Sequence, residues 1–321
     1  MTQSGVLGMA NSDTLGVEFG VPQGSILGPF LFIVYMNDLV RDNIMYADDT
    51  TCLVTEHNFE KLEISACIKV AQLTQELAAR NLKVNTSKTG VMVFNRKKKN
   101  RDSEPVLQIS EEIITNQDCL RFLGIHVDRD LRWTEHVDVL CKRLCSGLYV
   151  LRNLAKIASR EVTLSVYFAL VQSHIIYGIA LWGSCSVTNM DRVFKLQKRA
   201  MRYIYALRSD ESCKTIFQTQ RVLTVPSLYI LEVCVHLKKN INYVKKSGDS
   251  HAYGTRGRNL LDIPLHRTNR YEQKPSYRGV RLYNRLPEKL KSIVSTRSFK
   301  SALKCYLLER CYYSVSEFID V

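Results

Sequence analysis

The stretch Ile44-Met45-Tyr46-Ala47-Asp48-Asp49-Thr50-Thr51-Cys52 decides how the rest of the chain is read. Two short runs of apolar and β-favouring residues flank a pair of adjacent carboxylates. The pattern predicts one strand over 44–47, a second over 50–54, and Asp48-Asp49 in the tight turn between them. Each run is apolar on both alternating faces, which suits strands covered on both sides. Two like charges side by side repel. A divalent cation relieves that repulsion and uses the hard oxygen ligands that aspartate supplies. The same pair also suits an ordinary hairpin tip, because aspartate is a good turn former. Taken alone, the stretch leaves both readings open.

The residues just upstream narrow the choice. Gly20-Val21-Pro22-Gln23-Gly24-Ser25-Ile26-Leu27-Gly28-Pro29 is a turn punctuated by glycine and proline that leads into an apolar run. The GVPQGSxLGP segment followed closely by YADD resembles the palm of a reverse transcriptase. The best match is the jockey-like group of non-LTR (LINE-type) retrotransposons. A lone YADD is weak evidence, whereas the two segments in this order and at this spacing are specific.

The resemblance implies an RNA-directed DNA polymerase that adds nucleotides to a primer 3′ hydroxyl with two Mg²⁺ (or Mn²⁺) ions. Its partners are an RNA template, a DNA primer and deoxynucleoside triphosphates. Asp48 takes the position of the main metal ligand, Asp49 assists, and Tyr46 lies beside the primer terminus. Gln23 and Gly24 lie against the template and the nucleotide pocket. Gly24 also has its own physical reason, because a backbone without a side chain can approach a ligand closely. For Gln23 the competing reading is a turn-stabilising amide. Lys88 matches a lysine held near the leaving pyrophosphate, and a solvated loop lysine is an equal alternative. Phe122-Leu123-Gly124 match the primer grip, which holds the primer end where small displacements are costly.

The resemblance also exposes a gap. The family places another metal-binding aspartate upstream of GVPQG, and this sequence starts just before that segment. Asp13, in Asn11-Ser12-Asp13-Thr14, is not in an apolar strand, and Asp38, in Asn37-Asp38-Leu39, belongs to the helix after GVPQG. Neither replaces the missing residue. The fingers and the element's endonuclease are not represented either. The expectation is a truncated enzyme that does not polymerise alone. The alternative is a non-enzymatic RNA- or DNA-binding remnant that uses its basic thumb and tail. A metal nuclease would need a carboxylate cluster that the sequence does not offer.

Composition agrees with a polyanionic substrate. The net charge is +14, yet residues 1–60 carry one basic residue, Arg41, against eight acidic ones. An acidic segment therefore precedes a strongly basic body. With 45% hydrophobic residues the chain can build a core. The longest apolar stretch, 26–36, is too short to span a bilayer, and residues 1–11 lack a signal-peptide pattern. Ten scattered cysteines without a CxxC pair suit reduced thiols. The expected setting is intracellular, nucleus or cytoplasm, without secretion. His136, Cys141 and Cys145 share a helical spacing but have no evident fourth zinc ligand, so buried small cysteines are the default.

The remaining pattern predicts an α+β chain. A partial palm, an antiparallel sheet with helices, occupies 1–130. A helical thumb-like segment covers 131–245, and a basic, aromatic-rich region covers 246–321. An edge strand is expected at 15–19. The helix after Gly24 presents Ile26, Phe30, Ile33, Val34 and Asn37 on one face. A long helix carries Phe59, Leu62, Ala66, Val70, Leu73 and Leu77, with Asn58 as its N-cap, and should cover the palm sheet. Strands are expected at 90–94, 106–109 and 111–114, around a solvated basic run at 96–101.

From Thr134, a fair N-cap, the period becomes helical. Helices follow over about 160–177, stopping at Gly178, and over about 189–206. The last has an apolar face of Met190, Val193, Phe194, Gln197, Ala200, Met201 and Ile204. Arg192, Lys195, Arg199 and Arg202 form a basic stripe that either holds a nucleic-acid backbone or is simply solvated. His174 reads as a core residue. In the tail, Tyr253, Tyr271, Tyr277 and Tyr283 alternate with arginines that either stack on bases or pin a loop onto the helices.

Overall fold

The computed structural model describes residues 2–3, 6–7, 10–11, 15–16, 20, 24–94, 106–109, 111–246 and 260–320. Asp13, Gln23, the basic run at 96–101, Tyr253, Arg256 and Arg258 lie outside the described residues. The chain divides into two compact units, Met1–Gln117 and Asp118–Val321. The hairpin of residues 119–128 and the described tail therefore share a unit with the helices. The architecture is α+β.

The first unit opens with four two-residue strands. β1 (Thr2–Gln3) pairs with β4 (Leu15–Gly16), and β2 (Val6–Leu7) pairs with β3 (Ala10–Asn11). Helix α1 (Leu27–Met36) follows, with the Ser25 hydroxyl accepting from the Gly28 N–H at 3.0 Å. Pro29 is accommodated in its first turn. The expected buried face is not buried: Ile26 is 94%, Phe30 61% and Ile33 65% exposed. Along this segment the buried residues are Gly28, Met36 and, in the following 3₁₀ turn, Leu39. Apolar periodicity chose a face, but the described part of this unit supplies no layer to cover it.

β5 (Asn43–Tyr46) and β6 (Asp49–Cys52) form the YADD hairpin. Helix α2 (Phe59–Ala79) begins at Asn58, whose side chain accepts from the Glu60 N–H at 3.3 Å, as expected. The helix packs against β7 (Leu107–Ile109), which pairs with β8 (Glu112–Ile114). The Glu63 carboxylate anchors this packing by accepting from the Val106 N–H at 3.0 Å. The strand expected at 90–94 is reduced to a single bridge, Val91 to Asn116. Five separate two-stranded antiparallel sheets occur among the described residues, in place of one continuous palm sheet.

The second unit opens with β9 (Cys119–Phe122) paired to β10 (Ile125–Asp128). Helix α3 (Thr134–Leu154) starts at Thr134, which is the first helical residue and not the cap. Trp133 holds the cap position in a left-handed conformation, φ 63°, and offers no side-chain acceptor. Asp128 serves instead: its carboxylate accepts from the N–H groups of Arg132 at 2.8 Å and Trp133 at 2.5 Å.

The next helix forms as α4 (Arg160–Tyr167), a π-type turn (Phe168–Gln172) and α5 (Ser173–Ile176), and it ends at Gly178. Gly178 has φ 64°, and a Cβ there would lie 2.3 Å from the Ile125 Cδ1. Both the backbone angle and the space demand glycine. α6 (Ile179–Trp182) leads to α7 (Val187–Tyr205), capped by Ser186. All seven residues of the expected apolar face of α7 are buried. Gln197, fully buried, uses its whole amide end. It donates to the Tyr167 hydroxyl at 2.9 Å and the Leu223 carbonyl at 2.8 Å, and accepts from the Val225 N–H at 2.9 Å.

α8 (Lys214–Thr219) precedes α9 (Val225–Lys239), which is buried around most of its circumference. Helices α3, α7, α11 (Pro275–Asn284) and α13 (Thr296–Arg310) complete the core, with α10 (Asn269–Glu272), α12 (Glu288–Lys291) and α14 (Val315–Ile319) at its edges. No helix among the described residues is long and apolar enough to cross a membrane.

Candidate active site

The YADD hairpin turns one residue earlier than expected. Tyr46 pairs with Asp49, so the two-residue loop is Ala47-Asp48 and Asp49 begins the second strand. Ala47 has φ 52°, a left-handed angle that costs an alanine about 1 kcal/mol. Residues directly opposite each other share a face of an antiparallel pair, so Tyr46 and Asp49 point the same way. Tyr46 is 67% exposed, and Asp48 and Asp49 are both exposed. The strands are not covered on both sides: Ile44 and Tyr46 face outward, while Asn43 and Met45 are half-buried.

Neither Asp48 nor Asp49 has a hydrogen bond or ion pair among the described residues. Two adjacent, unengaged carboxylates fit a divalent ion of the Mg²⁺ type. Such an ion is usually held by one or two carboxylates and completes its shell with water and substrate phosphates. No group of three or more His, Cys, Asp or Glu side chains placed to hold a metal occurs among the described residues. Asp38 therefore does not join the pair, nor do His136, Cys141 and Cys145 make a cluster.

The other expected site residues divide between the units. Gly24 is exposed with φ 85°, and a Cβ there would meet nothing within 4 Å, so the angle alone accounts for glycine. Lys88 is exposed at the end of a 3₁₀ turn, Thr86–Lys88. In the second unit, Phe122 and Ile125 flank a two-residue turn of Leu123 and Gly124, with φ 46° and 82°. Two positive angles in succession are the mark of a type I′ hairpin. The Leu123 carbonyl accepts from the Tyr177 hydroxyl, which ties the turn to the end of α5.

The basic stripe of α7 is heterogeneous. Arg192 is held by Asp138 at 2.6 Å and Arg202 by the carbonyls of Arg208 and Glu211 at 3.2 and 3.1 Å. Lys195 and Arg199 are exposed and have no partner among the described residues. The described tail is pinned to the helices. Tyr277 and Tyr283 are buried, Arg270 donates to Asp130, and the Asn284 amide brackets the backbone of Leu261.

One constellation has no sequence signal. A cleft of about 230 Å³ lies behind the Leu123-Gly124 turn, lined by His136, Arg143, His174 and Tyr177 among others. His174 is half-buried in this wall and is not sealed in the core. These residues are far apart in the chain, and only the folding of α3 and α5 against the hairpin brings them together.

Residues 7–127 match the family described as reverse transcriptase (RNA-dependent DNA polymerase). The chain is similar to a probable RNA-directed DNA polymerase from transposon BS of Drosophila melanogaster. The two are 30% identical over 208 residues, covering 58% of this chain and 22% of the relative. It is similar to the probable RNA-directed DNA polymerase from transposon X-element of the same organism, 27% identical over 202 residues, covering 59% and 22%. The RNA-directed DNA polymerase from mobile element jockey is 24% identical over 207 residues, with the same coverage. The chain thus spans about a fifth of the length of these curated relatives. No solved structure matches it. The pairing of a GVPQG segment with a YADD hairpin, the family match over residues 7–127 and these relatives together make the chain similar to the reverse transcriptases of jockey-like retrotransposons.

Proposed function

We propose that the Asp48-Asp49 hairpin is the metal-holding element of an RNA-directed DNA polymerase site, and that these 321 residues bind primer and template without polymerising on their own. The observation that carries this reading is the pair of adjacent carboxylates at an exposed hairpin tip, unengaged by any described side chain. Tyr46 shares the face of Asp49 and would lie beside the primer end. The Leu123-Gly124 turn, with Phe122, would steady the primer strand, and Gln23 and Gly24 the template and nucleotide. Lys88 would offer a cation to the departing pyrophosphate. Divalent ions would supply activation of the primer hydroxyl and neutralisation of phosphate charge. The partners on this reading are RNA template, DNA primer and deoxynucleoside triphosphates, met inside the cell.

The second reading is nucleic-acid binding without chemistry. The exposed, unpartnered Lys195 and Arg199 favour it, one turn apart on α7. Primer extension with purified chain separates the possibilities. The expected outcome is tight, salt-dependent binding of primer–template, no sustained extension, and nucleotide binding that Mn²⁺ strengthens only while Asp48 is intact. Robust template-directed synthesis abolished by Asp48→Ala would overturn the claim of inactivity. Binding indifferent both to metal and to Asp48→Ala would favour the second reading.

A further inference from the structure

The cleft behind the Leu123-Gly124 turn is walled by donors. His136 is buried to 6% exposure on α3. Its Nδ1 accepts from the His126 backbone N–H at 3.4 Å. In the neutral ring the proton therefore sits on Nε2. That Nε2–H is buried and has no acceptor among the described residues. Buried donors are almost always satisfied, so an orphan in the wall of a cleft points to a ligand that supplies the acceptor.

Arg143 lies two turns further along the same helix, lines the same cleft and has no partner among the described residues. His174 adds a second imidazole ring from α5. No carboxylate lines the cleft. Its volume, about 230 Å³, is below the ~300–1,000 Å³ of sites that enclose a whole small molecule. It suits one anionic group of a longer ligand.

We propose that this cleft is a phosphate subsite, in which Arg143, the His136 Nε2–H and His174 hold one backbone phosphodiester of the nucleic-acid strand that passes over the Leu123-Gly124 turn. A phosphodiester carries a single charge and two free oxygens, so it can accept from donors on both walls. The Tyr177 hydroxyl is already spent on the Leu123 carbonyl and so fixes the turn relative to the cleft. The subsite makes no base contact and would position a strand without reading its sequence. The identity of the strand as primer rests on the reverse-transcriptase reading; the phosphate chemistry of the cleft does not.

The test is fluorescence anisotropy of a labelled primer–template bound to the full chain, over a salt series. Arg143→Gln should weaken binding about fivefold to tenfold and lower the slope of log affinity against log salt by about one. Arg297→Gln, an exposed charge on α13, is the control and should have a smaller effect on both. In the unmodified chain, the ¹⁵N resonance of the His136 Nε2 should move on adding the oligonucleotide. Equal effects of the two arginine variants would overturn the proposal. So would a His136 resonance that responds to inorganic phosphate alone and not to the oligonucleotide. The Arg143 effect should persist without metal and in an Asp48→Asn background. The subsite can therefore stand if the metal reading at Asp48 fails, and can fail while that reading stands.

Discussion

His136 shows how one side chain couples burial, charge and a site. Burial, helped by the nearby His126 and Arg143, lowers its pKa from 6.5 to about 4. The ring is neutral in the folded chain at pH 7 and is protonated more readily once unfolded. Its contribution to stability is therefore complete above about pH 6.5 and is lost as the pH falls toward 4. The loss approaches 1.4 kcal/mol per pH unit at its steepest and totals at most about 3 kcal/mol. Both tryptophans, Trp133 and Trp182, lie in the second unit. Urea unfolding followed by their fluorescence should show midpoints falling between pH 6.5 and 4.5, with a shallower fall in His136→Gln. An identical pH dependence in the two proteins would contradict this account. None of this was legible in the sequence, where His136 stood out only for its spacing to two cysteines.

At the scale of elements, legibility followed the regularity of the pattern. The amphipathic stripe of α7 named its buried residues correctly, Gln197 included, because one face is apolar and the other charged. α9 carries no such stripe. It is apolar nearly all round and lies at the centre of the unit, so periodicity could not reveal it. The YADD hairpin was recognisable, but its turn was misplaced by one residue. Two aspartates suggest a turn by propensity, whereas strand pairing puts the left-handed angle on Ala47, which tolerates it less well than aspartate. α1 marks the opposite failure, with a clear apolar face and nothing described against it.

The junction of β10 and α3 was read as a Thr134 cap, yet Asp128 does that work from five residues before the Trp133 N–H. Asp128→Ala strands the N–H groups of Arg132 and Trp133. It should destabilise the second unit by about 1–2 kcal/mol, seen as a lower urea midpoint by tryptophan fluorescence. An unchanged midpoint would mean that the hairpin and helix hold their register without it.

At the scale of the whole molecule, the two units divide the chemistry. The first holds the carboxylates on a hairpin with little described core around it, and the second holds the hairpin turn, the basic helix and the cleft within a large apolar core. Net charge changes sign within the first unit, acidic over residues 1–60 and basic beyond. The family resemblance was legible from two motifs because each needs particular residues at particular positions. The cleft was not, because its walls come from positions spread between 124 and 177.

On the proposed function, Asp48 and Asp49 hold a divalent ion. Titration of the chain with Mn²⁺ in the presence of primer–template and a deoxynucleoside triphosphate, followed by electron paramagnetic resonance of the free ion, tests it most directly. The expected result is bound Mn²⁺ that is weakened at least about tenfold by Asp48→Asn and also reduced by Asp49→Asn, about 1.4 kcal/mol or more for the first. Mn²⁺ binding that is the same in both variants as in the unaltered chain would contradict it.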